Sequence, residues 1–163
     1  MNHEDKAQER ASTFSRVVVT GVGAVTPLGH NVPDTWAAIL AGTSGIGPIT
    51  LVDGSKHSIG GLCEVKGFDP EQYMDRKDAR RRDRCQQLAT AAVGEAMRMS
   101  GLTITDENRD RVGITFGTGV GGIRTIVEQE AILHSGGVRR ISPFAITMIM
   151  PNGAAGMLAI DYG

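Results

Sequence analysis

Cysteine and aromatic residues are scarce in this sequence of 163 residues. It has only two cysteines, Cys63 and Cys85, and aromatic residues make up 4% of the chain. Two cysteines cannot form a disulfide-rich scaffold, and these two lack the CxxC spacing of a zinc or redox site. The nearest histidine to Cys63, His57, is six residues away. We therefore expect both cysteines to be buried or idle thiols, and no metal site.

Excess charge of one sign and long apolar runs are also missing. The 17 basic and 18 acidic residues give a formal net charge of -1, which excludes a generally basic nucleic-acid-binding protein. No apolar run approaches the roughly 20 residues that span a bilayer. Residues 1–15 are polar and lack the apolar segment of a secretory signal, so we expect a flexible N-terminal extension. A cytoplasmic location is the default for such a chain.

Glycine, in contrast, is abundant: the chain has 22 glycines, about twice the usual share. Runs of β-branched residues predict three strands, at 16–20, 59–65 and 111–116. Periodic apolar residues and helix-end signals predict five helices, at 33–42, 78–100, 123–134, 142–150 and 151–160. Strands that alternate with helices indicate the α/β class, with a largely parallel sheet. The length suggests one domain.

The helix predicted over residues 78–100 has the clearest pattern. It contains no proline, Gly94 is its only glycine, and Gly101 follows it as an end signal. Small apolar residues recur on one face at helical spacing: Cys85, Leu88, Ala89, Ala92, Ala96 and Met99. The alanines on this face predict close packing of the helix against another backbone.

A glycine motif, Gly117-x-Gly119-x-x-Gly122, follows the strand predicted at 111–116. This spacing matches the dinucleotide-binding fingerprint, in which glycines let a pyrophosphate approach a helix N-terminus. That fingerprint also needs an acidic residue about 20 positions later, and residues 136–142 contain none. A nucleotide-binding α/β domain stays an alternative. Glycines that pack a strand against a helix are the favoured interpretation.

A basic run is the second notable feature, because residues 76–84 hold six bases and two acids. On a continuous helix, four of its residues share one face: Lys77, Arg80, Arg81 and Arg84. Such a run is usually a solvated face, yet like charges at these spacings repel each other. An anionic partner would relieve that repulsion. A nucleic acid is disfavoured because no aromatic residues are interleaved.

No catalytic arrangement can be derived from the residue pattern alone. The four histidines lie in the N-terminal tail, in loops or at a helix end: His3, His30, His57 and His134. We expect them to be surface residues. No element contains the paired carboxylates of an acid–base pair.

Six sequence blocks within residues 16–163 occur in the order and spacing of one known family. They are RVVVTGVGAVTPLG (16–29), TWAAILAGTSGI (35–46), RKDARRRDR (76–84), GITFGTGVGGI (113–123), GGVRRISPF (136–144) and MIMPNGAAG (148–156). Together they resemble β-ketoacyl-acyl-carrier-protein synthases, most closely the elongating enzymes of fatty-acid synthesis. The resemblance implies that residues 16–163 are an incomplete N-terminal half of a ketosynthase domain, with the layered αβαβα architecture of the thiolase-like fold.

The resemblance also implies a chemistry. Such enzymes are homodimers without metal or organic cofactor, and a cysteine takes the acyl chain from its carrier as a thioester. Two histidines then assist the decarboxylative condensation with malonyl-carrier protein. The resemblance places this cysteine and both histidines beyond Gly163, and Cys63 and Cys85 match no catalytic position. We therefore expect no catalytic residue in this chain, and no activity from it alone. A non-catalytic, chain-length-factor-like partner of polyketide synthesis stays an alternative.

Two binding sites are implied residue by residue. Five basic residues match positions that dock the acidic acyl carrier protein: Lys77, Arg80, Arg81, Arg139 and Arg140. Gly119 and Val120 match a gate at the acyl pocket, and Ala145 stands where several relatives carry a bulky residue that reaches across the dimer. The expected partners are the acyl carrier protein with its acyl and malonyl thioesters, and a second copy of the enzyme. We expect neither a nucleic acid nor a membrane as partner.

Overall fold

The computed structural model describes residues 16–54 and 58–163. The predicted flexible extension, residues 1–15, lies outside the described residues, as does His57. The described helices are α1 (Val32–Leu40), α2 (Arg76–Ala79), α3 (Arg84–Ser100), α4 (Ile123–Gly136), α5 (Ala145–Ile149) and α6 (Gly153–Tyr162). Short 3-10 turns lie at Pro70–Gln72, Arg109–Arg111 and Val138–Arg140. The predicted helices at 33–42, 123–134, 142–150 and 151–160 are confirmed, with shifted ends.

Strands are few in the described part of the chain. β1 (Ile46–Gly47) and β2 (Leu62–Cys63) pair antiparallel, with Ile46 opposite Cys63. They form the only sheet that the described residues contain. None of the described helices is both long and apolar enough to cross a membrane.

The largely parallel sheet predicted from the sequence is therefore wrong for residues 16–54 and 58–163. Segments 16–20 and 111–116 form no strand, and the strand predicted at 59–65 shortens to β2. A strand exists through hydrogen bonds to a neighbouring strand, and neither segment has one within the described residues. Their apolar side chains are correspondingly uncovered, and Val17 is 95% exposed.

The helix predicted over residues 78–100 is in fact two helices. α2 ends at Ala79, and α3 begins only after a turn that ends at Asp83. Asp83 has an extended backbone, with φ -61° and ψ 159°, and its side chain accepts a hydrogen bond from the N–H of Cys85. Aspartate stabilises a helix start more than a helix interior. The break at Asp83 follows from this preference, and it ends the single basic helical face expected from the sequence.

The small-residue face of α3 packs directly against backbone, as predicted. A Cβ atom added to Gly21 would lie 2.2 Å from the carbonyl oxygen of Ala96, and one added to Gly23 would lie 1.9 Å from that of Ala92. Only glycine allows so close an approach. The predicted end of α3 is also confirmed, because Gly101 takes the left-handed conformation with φ 66°.

The core lies where α3 meets α6. Ala89 of α3 and Ala154 and Leu158 of α6 are buried together. Val93 and Phe116 pack against this group. Alanines at the contact bring the two helices close, and Leu158 fills the remaining space, since it is fully buried.

Candidate functional site

An exposed basic surface forms where α2 ends. Lys77 and Arg80 are exposed, and Arg81 is half-buried. The guanidinium carbon of Arg81 lies 4.5 Å from the centre of the Phe144 ring, which is the geometry of a cation–π contact. Lys77, Arg80, Arg81 and Phe144 line one open groove together with Arg76. Three of the five predicted docking residues are therefore neighbours in the structure.

Arg139 and Arg140 lie on the segment that leads to Phe144. Both are exposed in the 3-10 turn after α4. The N–H of Ser142 donates a hydrogen bond of 2.7 Å to the side-chain oxygen of Gln129 in α4, which fixes this segment. The contact between Phe144 and Arg81 then joins it to the end of α2. We call Lys77, Arg80, Arg81, Arg139 and Arg140 the basic surface.

None of the basic surface residues forms an ion pair within the described part of the chain. Other basic residues of this region do: Arg76 pairs with Glu71, Arg82 with Asp161, and Arg124 with Glu128. A cation without an internal partner keeps its charge available to the carboxylates of another protein. The sequence run of six bases therefore separates into paired cations and unpaired ones.

Two arginines of the run point into the protein instead. Arg82 is 5% exposed, and its guanidinium donates to both carboxylate oxygens of Asp161, at 2.6 and 2.5 Å. This pairing raises the pKa of Arg82. Arg84 lies 4.5 Å from the centre of the Phe68 ring and donates to the Phe68 carbonyl. Its burial, followed by the charge of a neighbouring arginine, lowers the pKa of Arg84. The prediction that Arg84 lies on the basic face is therefore wrong.

The glycine-rich loop 117–122 lies against the C-terminal end of α5. The N–H of Gly122 donates a hydrogen bond of 3.1 Å to the carbonyl oxygen of Ile149. A Cβ atom on Gly122 would lie 2.1 Å from the carbonyl oxygen of Met148. This loop and α5 carry the residues predicted for the acyl pocket. The structure therefore packs the two predicted pocket segments against each other.

The three predicted pocket residues differ in exposure. Gly119 is exposed, and Val120 beside it is 54% exposed. Ala145, the first residue of α5, is 7% exposed. Val120 is therefore accessible to a ligand in the described part of the chain, whereas Ala145 is already covered by neighbouring residues.

A buried carboxylate occupies the N-terminus of α4, directly after the glycine motif. Oδ2 of Asp83 accepts hydrogen bonds from the N–H and the hydroxyl of Thr125, at 2.9 and 2.6 Å. In a nucleotide-binding domain the N–H groups of this helical turn face the pyrophosphate. Because the N–H of Thr125 already donates to Asp83, that group is not free to bind a phosphate, which disfavours the nucleotide-binding alternative.

Gln86 extends this buried network to α5. Its side-chain amide donates a hydrogen bond of 2.8 Å to the carbonyl oxygen of Thr147, and its side-chain oxygen accepts one of 3.2 Å from the N–H of Asp83. Asp83 and Gln86 thus connect the start of α3 to both α4 and α5. Neither residue is among the site residues predicted from the sequence. The available signal was the capping box formed by an aspartate and a glutamine three residues apart.

Comparisons with known proteins identify the family. Residues 14–163 match the family model described as "Beta-ketoacyl synthase, N-terminal domain". The chain belongs to the β-ketoacyl synthase family. It is 43% identical over 148 residues to 3-oxoacyl-[acyl-carrier-protein] synthase 2 of Synechocystis, a match that covers 91% of the chain and 36% of that relative. The protein of the same name from Staphylococcus aureus strain N315 is 41% identical over 152 residues, a match that covers 93% of this chain and 37% of that relative. The chain thus spans little more than a third of these curated relatives.

Solved structures of ketosynthases share the fold. A type II polyketide synthase acyl-carrier protein in complex with its ketosynthase matches with a TM-score of 0.72 and 29% identity, over 92% of this chain and 39% of that one. A β-ketoacyl synthase from Burkholderia phymatum matches with a TM-score of 0.75 and 25% identity, over 91% of this chain and 37% of that one. The predicted α/β class, as the N-terminal part of a thiolase-like fold, is confirmed.

Proposed function

We propose that this β-ketoacyl synthase chain belongs to a condensing enzyme of fatty-acid elongation. The complete enzyme joins an acyl group, held as an enzyme thioester, to malonyl-acyl-carrier protein with loss of carbon dioxide. Two curated relatives, both named 3-oxoacyl-[acyl-carrier-protein] synthase 2, support this reaction. Residues 16–163 contribute part of the N-terminal half of the ketosynthase domain. The nucleophile and the two histidines belong to the remaining part, so the 163-residue chain alone is inactive.

The basic surface carries this proposal, because it offers unpaired cations to an acidic carrier protein. Guanidinium groups meet carboxylates in paired, planar contacts. The solved complex of an acyl-carrier protein with its ketosynthase is a precedent for such an encounter.

We propose further that the enzyme is a cytoplasmic homodimer without metal or organic cofactor. Gly119, Val120 and Ala145 line its acyl pocket.

Charge reversal on the basic surface tests the docking role. In the complete enzyme, we expect Arg80→Glu with Arg139→Glu to raise the KM for acyl-carrier substrates about tenfold, since each exposed contact contributes up to about 1 kcal/mol. The salt dependence of that KM should also weaken. Steady-state kinetics with two small thioesters, acyl-pantetheine and malonyl-pantetheine, provide the reference, because neither substrate uses the surface.

Arg109→Glu is the matched control, because Arg109 is an exposed arginine outside the basic surface. It should leave the carrier KM within about twofold of the parent value. Equal losses with carrier and pantetheine substrates would mean that the double variant is misfolded rather than defective in docking. An unchanged carrier KM would show that the basic surface is only a solvated face.

A non-catalytic partner in polyketide synthesis is the second candidate. The solved ishigamide ketosynthase/chain length factor, a pair that includes such a partner, matches with a TM-score of 0.74 and 28% identity over 89% of this chain and 36% of that one. The residue at the nucleophile position of the complete polypeptide decides between the two candidates. A cysteine there means a condensing enzyme, and any other residue means a partner subunit. Sequencing the gene past the codon for Gly163 gives the answer.

A further inference from the structure

One buried carboxylate joins the basic surface to the acyl-pocket loop. Asp83 follows Arg81 by two residues, at the end of the turn that carries Arg80 and Arg81 of the basic surface. Its Oδ1 accepts a hydrogen bond of 3.0 Å from the N–H of Cys85, and its Oδ2 accepts two from Thr125. Thr125 in turn lies five residues after Val120 in the chain. Asp83 and Thr125 therefore link the turn with Arg80 and Arg81 to the acyl-pocket loop, and each of the two lies within five residues of the segment it connects.

Burial makes this link rigid. Asp83 and Thr125 are both buried, and a buried carboxylate is stable only where hydrogen-bond donors surround it. The loop also packs on Asp83 itself, because a Cβ atom on Gly122 would lie 3.1 Å from the Asp83 Cβ. A shift of the Arg80–Asp83 turn relative to the loop would break the Thr125 bonds. The hydrogen bonds thus hold the two segments at one separation.

We propose that Asp83 is a positioning residue, which fixes where a docked carrier protein lies relative to the acyl-pocket loop. This inference rests on the proposed function. An acyl chain delivered by a carrier enters the pocket from a point set by the basic surface, so its alignment depends on the link through Thr125. An acyl chain on free pantetheine is not bound to that point. Only the carrier-dependent reaction therefore needs the link.

Thr125→Val in the complete enzyme tests this role. The valine keeps the N–H donor and the side-chain volume but removes the hydroxyl donor to Asp83. We expect kcat with an acyl-carrier donor to fall about fivefold, a typical size for coupling between two sites. The KM for the carrier should stay within about twofold, because the charges of the basic surface are retained. The reaction of acyl-pantetheine with malonyl-pantetheine, which involves no carrier, should be unchanged.

Thr125→Ser is the matched control, since it retains the hydroxyl and should restore the carrier-dependent kcat. Asp83→Asn, which keeps the size but loses one acceptor, should act in the same direction as Thr125→Val. Equal losses of kcat with both donors would assign Asp83 a structural role only and overturn the inference. So would an unchanged carrier-dependent kcat in Thr125→Val. If the parent enzyme did not condense at all, the proposed function itself would fail.

Discussion

At the scale of single residues, the two cysteines have different environments. Cys63 is exposed, whereas Cys85 is half-buried beside Asp83. Burial, with the adjacent carboxylate of Asp83, raises the pKa of the Cys85 thiol to about 11. Because the thiolate is the reactive form, Cys85 is a poor nucleophile near neutral pH.

Alkylation kinetics check this difference. At pH 8 only about one Cys85 thiol in a thousand is ionised, so iodoacetamide should modify Cys63 first and Cys85 far more slowly. Peptide mass spectrometry at successive times measures both rates in one sample. In urea the two rates should become similar. Equal rates in the folded protein would contradict the raised pKa.

Ala145 gives a second prediction at this scale. If it lines the acyl pocket of the complete enzyme, Ala145→Phe fills space that a long acyl chain needs. We expect activity with long acyl donors to fall while short donors are spared, by about 1–3 kcal/mol in relative kcat/KM per methylene affected. Assays over a series of acyl-chain lengths measure this. Because Ala145 is buried, equal losses at all lengths would indicate misfolding and would not support the pocket role.

At the scale of elements, two glycines at α3 should respond oppositely to alanine. A Cβ atom on Gly94 would meet only Arg98 at 3.4 Å and Tyr162 at 3.9 Å, so Gly94→Ala should stabilise the complete enzyme by about 0.5–1 kcal/mol. Gly23→Ala places a Cβ 1.9 Å from the Ala92 carbonyl and should destabilise it by about 2 kcal/mol or more. Urea unfolding measures both variants. Similar effects would mean that the chain does not lie on α3 as described.

Helices were predictable from the sequence and strands were not, for a physical reason. α3 is held by hydrogen bonds within its own segment and has a periodic small-residue face, so the local sequence pattern of residues 78–100 predicts most of this helix. Segments 16–20 and 111–116 have residues that suit a strand, but a strand also requires a neighbouring strand, which is often distant in the sequence. Residues 78–84 contain neither proline nor glycine, so no helix-breaking residue marks the break before α3, which follows from the capping role of Asp83.

The candidate site shows the same division. Charge follows from residue type, so the sequence run alone predicts that Lys77, Arg80 and Arg81 form a basic surface. The inward directions of Arg82 and Arg84 depend on Asp161 and Phe68, which no local pattern connects to them. The bonds of Asp83 to Thr125 join residues 42 positions apart in the chain. They are visible only in the folded protein.

At the scale of the whole molecule, apolar side chains remain uncovered. Among the large ones, Val17, Val19, Ile146 and Ile160 are all largely exposed. Exposed apolar surface of this kind favours association and lowers cooperativity of unfolding. We expect the 163-residue chain by itself to bind the dye ANS and to unfold over a broad temperature range. The complete enzyme should unfold sharply, and a sharp transition of the isolated chain would contradict this prediction.

The contact between Arg81 and Phe144 has an entropic consequence for recognition. A side chain that is already held in place loses little freedom on binding, whereas ordering a mobile one costs about 0.5–1.5 kcal/mol. Within the described residues, neither Lys77 nor Arg80 has a ring contact of this kind. We therefore expect Arg81 to bind a carboxylate at a lower entropic cost than Lys77 or Arg80. If the surface docks a carrier protein as proposed, we expect it to accept carriers that differ in shape but share one acidic residue opposite Arg81.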